Sequence, residues 1–143
     1  MKTMTEKFNI LGQYIKDMSS ETPDTETYIY VKDNISKYEL NIDITSKAVK
    51  NKMVEVNTIM KFEDKSETKK KSYFEITYAT IVKISDEVLD KKELEKILLS
   101  DVQTKIYPNL EKSFLDMLHN SGYKDVQFEK KVNFEELYKQ RFN

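Results

Sequence analysis

Tyr38-Glu39-Leu40-Asn41-Ile42-Asp43-Ile44-Thr45 alternates apolar and polar side chains without a break. Every second residue can therefore turn toward a core while its neighbours face water, the pattern of a half-buried β-strand. Two longer stretches repeat it. Val54, Val56, Thr58, Met60 and Phe62 oppose Glu55, Asn57, Ile59 and Lys61. Phe74, Ile76, Tyr78, Thr80, Val82 and Ile84 oppose Tyr73, Glu75, Thr77, Ala79, Ile81 and Lys83. A fourth, less regular stretch runs from Phe8 to Ser19. Short polar connectors, Ser46 to Lys52 and Glu63 to Lys71, join the last three strands, so antiparallel hairpins are the economical arrangement. Ile59 and Ile81 place apolar residues on the opposite faces as well, which suggests that the second face of the sheet also meets a cover.

Past Ser85 the period changes to that of a helix. Leu94, Ile97, Leu98 and Val102 mark one apolar stripe, and Leu110, Phe114, Met117 and Leu118 mark another. Asp90 with Glu93 reads as a helix start and Asn120-Ser121-Gly122 as a stop. Pro108 lies between the stripes and either kinks one long helix or begins a second. Asn133 can cap a last short helix through Phe134, Leu137 and Tyr138. The segment from Glu21 to Ile35, which carries Tyr28 and Tyr30, follows neither period and is expected to be a packed or functional loop. The expected fold class is α+β, in one domain over residues 1–143. A four-stranded antiparallel sheet would carry a long, Pro-interrupted helix and a short C-terminal helix on one face.

Composition narrows the function. The 143 residues hold 24 Lys plus Arg against 25 Asp plus Glu, for a net charge of -1, so there is no basic footprint for nucleic acid. Cysteine is absent, glycine occurs twice, and His119 is the one histidine. Thiol nucleophiles, glycine-rich phosphate loops and histidine-based metal sites lack material. His119 beside a helix end suits the helix dipole. No apolar run reaches the ~20 residues of a membrane span. The expectation is a cytoplasmic, non-enzymatic protein with no cofactor and no metal. Nine Tyr and seven Phe are the distinctive feature. They supply either ordinary partial burial or an exposed apolar recognition surface.

Read in order, five segments resemble the SecB family of protein-export chaperones. Gln13-Tyr14-Ile15-Lys16-Asp17-Met18-Ser19-Ser20-Glu21-Thr22-Pro23 is similar to that family's first strand, and Leu40-Asn41-Ile42-Asp43-Ile44 to its second. Phe74-Glu75-Ile76 and Ile106-Tyr107-Pro108 resemble its fourth strand and long helix, and Val132-Asn133-Phe134-Glu135-Glu136-Leu137-Tyr138 the start of its last helix. The chain departs from the family in its near-neutral charge. Ala79-Thr80 stands where a glycine pair is common, and Asn109-Leu110-Glu111 where Tyr-Ala-Arg is typical. It ends at Asn143, where family members continue into a basic, zinc-binding tail that contacts the motor SecA.

The resemblance implies a chaperone that holds unfolded polypeptide clients for export and assembles as a homotetramer, a dimer of dimers. It implies a client groove at Tyr28, Tyr30, Leu40, Ile42, Ile44, Phe134, Leu137 and Tyr138, and SecA docking at Asp17, Glu21 and Glu75. Two alternatives stay open. One is a SecB-like chaperone dedicated to another client, such as an antitoxin. The other is an oligomeric scaffold or small-molecule binder using the same aromatic surface.

Overall fold

The structure is a computed structural model that describes residues 7–128 and 132–142. The alternating stretches are strands: β1 (Phe8–Glu21), β2 (Glu39–Ala48), β3 (Met53–Glu63) and β4 (Tyr73–Ile84). They pair antiparallel in the order β1-β4-β3-β2, which leaves β1 and β2 at the edges. The β2–β3 hairpin closes on Asn51 and Lys52, whose φ angles are 63° and 61°. Two successive positive φ values give the turn the hand that matches strand twist.

On β4 the stripe Phe74, Ile76, Tyr78, Thr80, Val82, Ile84 is buried throughout, and Val56, Thr58, Met60 and Phe62 continue it across β3. β1 looks irregular in sequence because its pairing slips twice, between Ile10 and Gly12 and between Ile15 and Asp17. Each bulge inserts a residue and resets which side chains face the core.

The helices lie on the face of that buried stripe. The long arm comprises α2 (Lys91–Lys96), a π-helical turn (Ile97–Asp101) and α3 (Val102–Asn120), and α4 (Phe134–Phe142) is the last described element. Asp90 caps α2 by accepting from Lys92 N–H at 3.1 Å. Pro108 sits inside α3 on its exposed side and does not end the helix. The stop at Asn120 is a paired-bond motif: Tyr123 N–H reaches Leu118 C=O and Gly122 N–H reaches His119 C=O, both at 3.1 Å, with Gly122 at φ 102°. Val102, Ile106, Leu110, Phe114 and Leu118 of α3 are fully buried against the sheet.

Residues 21–35 differ from expectation. They contain a helix, α1 (Thr25–Asp33), followed by a 3-10 turn at Ile35–Lys37. Asp24 caps α1 through a 2.8 Å bond from Thr27 N–H, and that bond holds its carboxyl below the usual carboxylate range. Only Thr27 and Val31, four residues apart, are buried. So narrow a stripe leaves almost no helical period in the sequence.

Phe74 is 2% exposed and its ring lies 5.3 Å from Tyr123, 6.1 Å from Tyr38 and 6.2 Å from Phe62. Chemical denaturation of Phe74→Ala is expected to show a loss of about 3–5 kcal/mol. An unchanged midpoint would contradict this packing.

Candidate functional site

The arm does not reach the β2 edge, and an apolar trough opens there. Tyr38, Leu40, Ile42 and Phe62 form its floor, Val126 and Phe128 one wall, Val132 and Leu137 the other. Its volume is about 1090 Å³. Asp125, Asn133 and Glu136 sit on the polar rim. A smaller pocket of about 170 Å³ continues it past Ile42 and Leu137 to Ile44, Leu99, Phe134 and Tyr138.

The walls are held by specific contacts. Phe128 stacks 6.1 Å from Phe114 and meets Phe62 edge-on at 5.6 Å. His119 donates from Nε2 to Val126 C=O at 2.8 Å, tying the chain that leaves α3 to the helix end. Tyr38 accepts from Ser72 N–H at 3.0 Å, and burial pushes its phenol up. Asn133 caps α4 by accepting from Glu136 N–H at 3.0 Å. Phe134 anchors α4 with its ring 5.2 Å from Tyr107. Burial, then the Glu111 carboxylate, pushes the Tyr107 phenol well above its ordinary value. The half-buried residues Leu40, Ile42 and Ile44, with Leu137 at 46% exposure, offer apolar surface without a converging set of buried polar groups. Such a trough can bury apolar side chains and has little to orient one rigid small molecule.

Of the residues named from sequence, Leu40, Ile42, Ile44, Phe134, Leu137 and Tyr138 line the trough or its pocket. Tyr28 and Tyr30 lie on α1 and line neither. Tyr28 donates to Gly122 C=O at 2.8 Å and packs 5.3 Å from Tyr123, latching α1 to the end of α3. Sequence reasoning missed Phe62, which carries the periodicity of ordinary core, and Leu99, Val126 and Phe128, which fall outside the apolar stripes. It also missed Tyr38, which shares the β2 stripe with Leu40 and was the available signal.

Asp17, Glu21 and Glu75 come together on the opposite, helix-free face. The register sets Asp17 beside Thr77, Ser19 beside Glu75 and Glu21 beside Tyr73. Tyr73 is 61% exposed among these carboxylates, and Lys61 Nζ stands 3.3 Å from Glu75. Further along the face, Lys16 Nζ reaches Glu55 at 2.9 Å; the Asn57 amide, then Lys16, holds that carboxyl below the usual range.

Family comparison matches residues 1–143 to the preprotein translocase subunit SecB. The chain belongs to the SecB family. A Pelagibacter ubique protein that carries the SecB name is 64% identical over 140 residues, covering 98% of this chain and all of that protein. The protein-export protein SecB of Rhodospirillum rubrum is 24% identical over 92% of this chain and 80% of its own length. Among solved structures, a SecB-like chaperone of Mycobacterium tuberculosis, in complex with an antitoxin peptide, has the same fold. Its TM-score is 0.61 at 10% identity, with 89% of this chain and 92% of that chain covered. SecB membership and these export-named relatives make this chain a protein-export chaperone. Among the described residues no helix is long and apolar enough to cross a membrane, and no group of His, Cys, Asp or Glu could hold a metal ion.

A Cβ at Gly122 would lie 2.6 Å from the Tyr28 ring, at a φ that L-residues rarely adopt. Gly122→Ala is expected to cost about 1 kcal/mol or more and to raise hydrogen exchange selectively in α1. Unchanged protection of α1 would show that Tyr28 is no latch.

Proposed function

We propose that the chain is a non-catalytic cytoplasmic holdase, with unfolded polypeptide bound in the trough between β2 and α4. The continuous apolar surface of Leu40, Ile42, Ile44 and Leu137 carries this reading. Unfolded clients expose apolar side chains whose burial is favourable whatever their order, so a trough of this kind holds many sequences. Tyr28 and Tyr30 then act indirectly, through the placement of α1 and the 3-10 turn whose Ile35 reaches the trough.

The helix-free face supports a second contact. Asp17, Glu21 and Glu75 around exposed Tyr73 suit a basic, partly apolar partner surface, and SecA is the proposed partner. Pairing with Lys61 mutes Glu75, so docking should be salt-sensitive and modest. Homotetramer assembly as a dimer of dimers is proposed to begin at β1, an unpaired edge with exposed Leu11, Tyr14, Ile15 and Met18. A dedicated antitoxin client is the second reading, favoured by the peptide held in the Mycobacterium tuberculosis fold relative. The 64% identical relative with a SecB name favours export.

Two variants separate the faces. Ile42→Ser with Leu137→Ser should melt like the parent and lose client holding in a light-scattering assay of a refolding client, with each lost anchor costing about 2 kcal/mol. Asp17→Lys with Glu75→Lys should keep client holding and lose SecA binding measured by interferometry. Full holding by the first variant would reject the trough, and SecA binding unchanged in the second would reject the patch.

A further inference from the structure

The long arm is not one regular helix. In the π-helical turn Ile97–Asp101, Val102 N–H reaches back to Ile97 C=O. In an α-helix that donor would serve Leu98, so the Leu98 carbonyl loses its main-chain partner. The Gln103 side chain replaces it, donating from Nε2 to Leu98 C=O at 3.2 Å. Its Oε1 accepts from the Thr58 hydroxyl of β3 at 2.7 Å. Thr58 and Gln103 are both fully buried. A core position filled by an amide is costly unless every polar group is paired, and here the partners come from the sheet and from the irregular turn.

The extra residue in the turn has a consequence at the trough. Ile97, Leu98 and Ser100 are buried, while Leu99 stays part-exposed and lines the smaller pocket beside Ile42, Ile44 and Phe134. α4 packs directly against this turn. A regular helix through the same residues would rotate everything N-terminal to the turn by about 100°, one residue's worth of twist. Leu99, inside the turn, would share part of that rotation and leave its place beside Ile42, Ile44 and Phe134.

We infer that the Thr58–Gln103–Leu98 clasp selects the π turn and thereby holds Leu99 in the client trough, making Gln103 and Thr58 positioning residues for client recognition. The inference rests on the chaperone reading of that trough. Neither residue touches the client; both act through Leu99.

The test compares four proteins in binding a fluorescein-labelled unfolded peptide rich in Leu and Phe, read by anisotropy. They are the parent, Thr58→Val with Gln103→Met, Leu99→Ala, and the triple variant. The clasp variant replaces a polar pair by apolar groups of similar size, and its melting curve should stay near the parent's. It is expected to bind about tenfold more weakly, as is Leu99→Ala, and the triple variant no more weakly than either. Thr58→Ser, which keeps the hydroxyl, should bind as the parent does. If the double substitution fails to fold, Thr58→Val alone removes the donor and is read the same way. Parent-like binding by the clasp variant, or a triple variant that loses the product of both effects, overturns the inference alone. A parent that binds no peptide overturns the chaperone reading and the inference with it.

Discussion

Four paired strands span about 14 Å from the axis of the first to that of the last, and an α-helix with its side chains is only about 10–12 Å across. One long helix therefore cannot cover this sheet. α3 packs over β4 and β1, and the interior strands β3 and β4 bury almost every core-facing residue. At the edges Leu40, Ile42 and Ile44 of β2 remain half-buried, and Ile15 and Met18 of β1 remain exposed. The segment after α3 and α4 partly roof the β2 side, and what they leave open is the trough. The trough is the geometric remainder of the fold, which is why it is apolar and runs along the β2 edge.

The strands that built this arrangement were the legible part of the chain. β2, β3 and β4 alternate cleanly because the face of each that turns toward the helices is the more buried one. β1 does not, because its two bulges break the period of two at Leu11 and Lys16. α1 was unreadable for a different reason: two buried residues, Thr27 and Val31, cannot print a helical stripe among polar neighbours. The π turn leaves no mark either, since its signature is a pairing of main-chain groups and not a spacing of side chains. At the site, Leu40, Ile42, Ile44, Phe134, Leu137 and Tyr138 were named through the resemblance to the SecB family, while periodicity by itself showed only that β2 and α4 each have an apolar face. Phe62, Val126 and Phe128 were hidden, because a residue that walls a trough and one that fills a core look alike until the cover is known to stop short.

Polar contacts fix the parts that apolar packing leaves adjustable. The Tyr28–Gly122 bond locates α1, the His119–Val126 bond locates one trough wall, and Asn133 starts the helix that forms the other. Thr58 and Gln103 do the same inside the core, where the desolvation of unpaired groups penalises alternatives most. The opposite face follows another logic. Its carboxylates are partly neutralised by Lys16 and Lys61, so the contact proposed for it would be electrostatic and screened, while the one proposed for the trough would be hydrophobic and largely indifferent to salt.

The two faces carry isoleucines that report on them separately: Ile42 and Ile44 in the trough, Ile59 and Ile81 on the helix-free face. Methyl NMR of the protein titrated with an unfolded client reads all four in one spectrum. The account predicts shifts and broadening at Ile42 and Ile44, with Leu40 and Leu137 moving alongside, while Ile59 and Ile81 stay in place. Perturbation confined to Ile59 and Ile81, with the trough methyls unmoved, would contradict it.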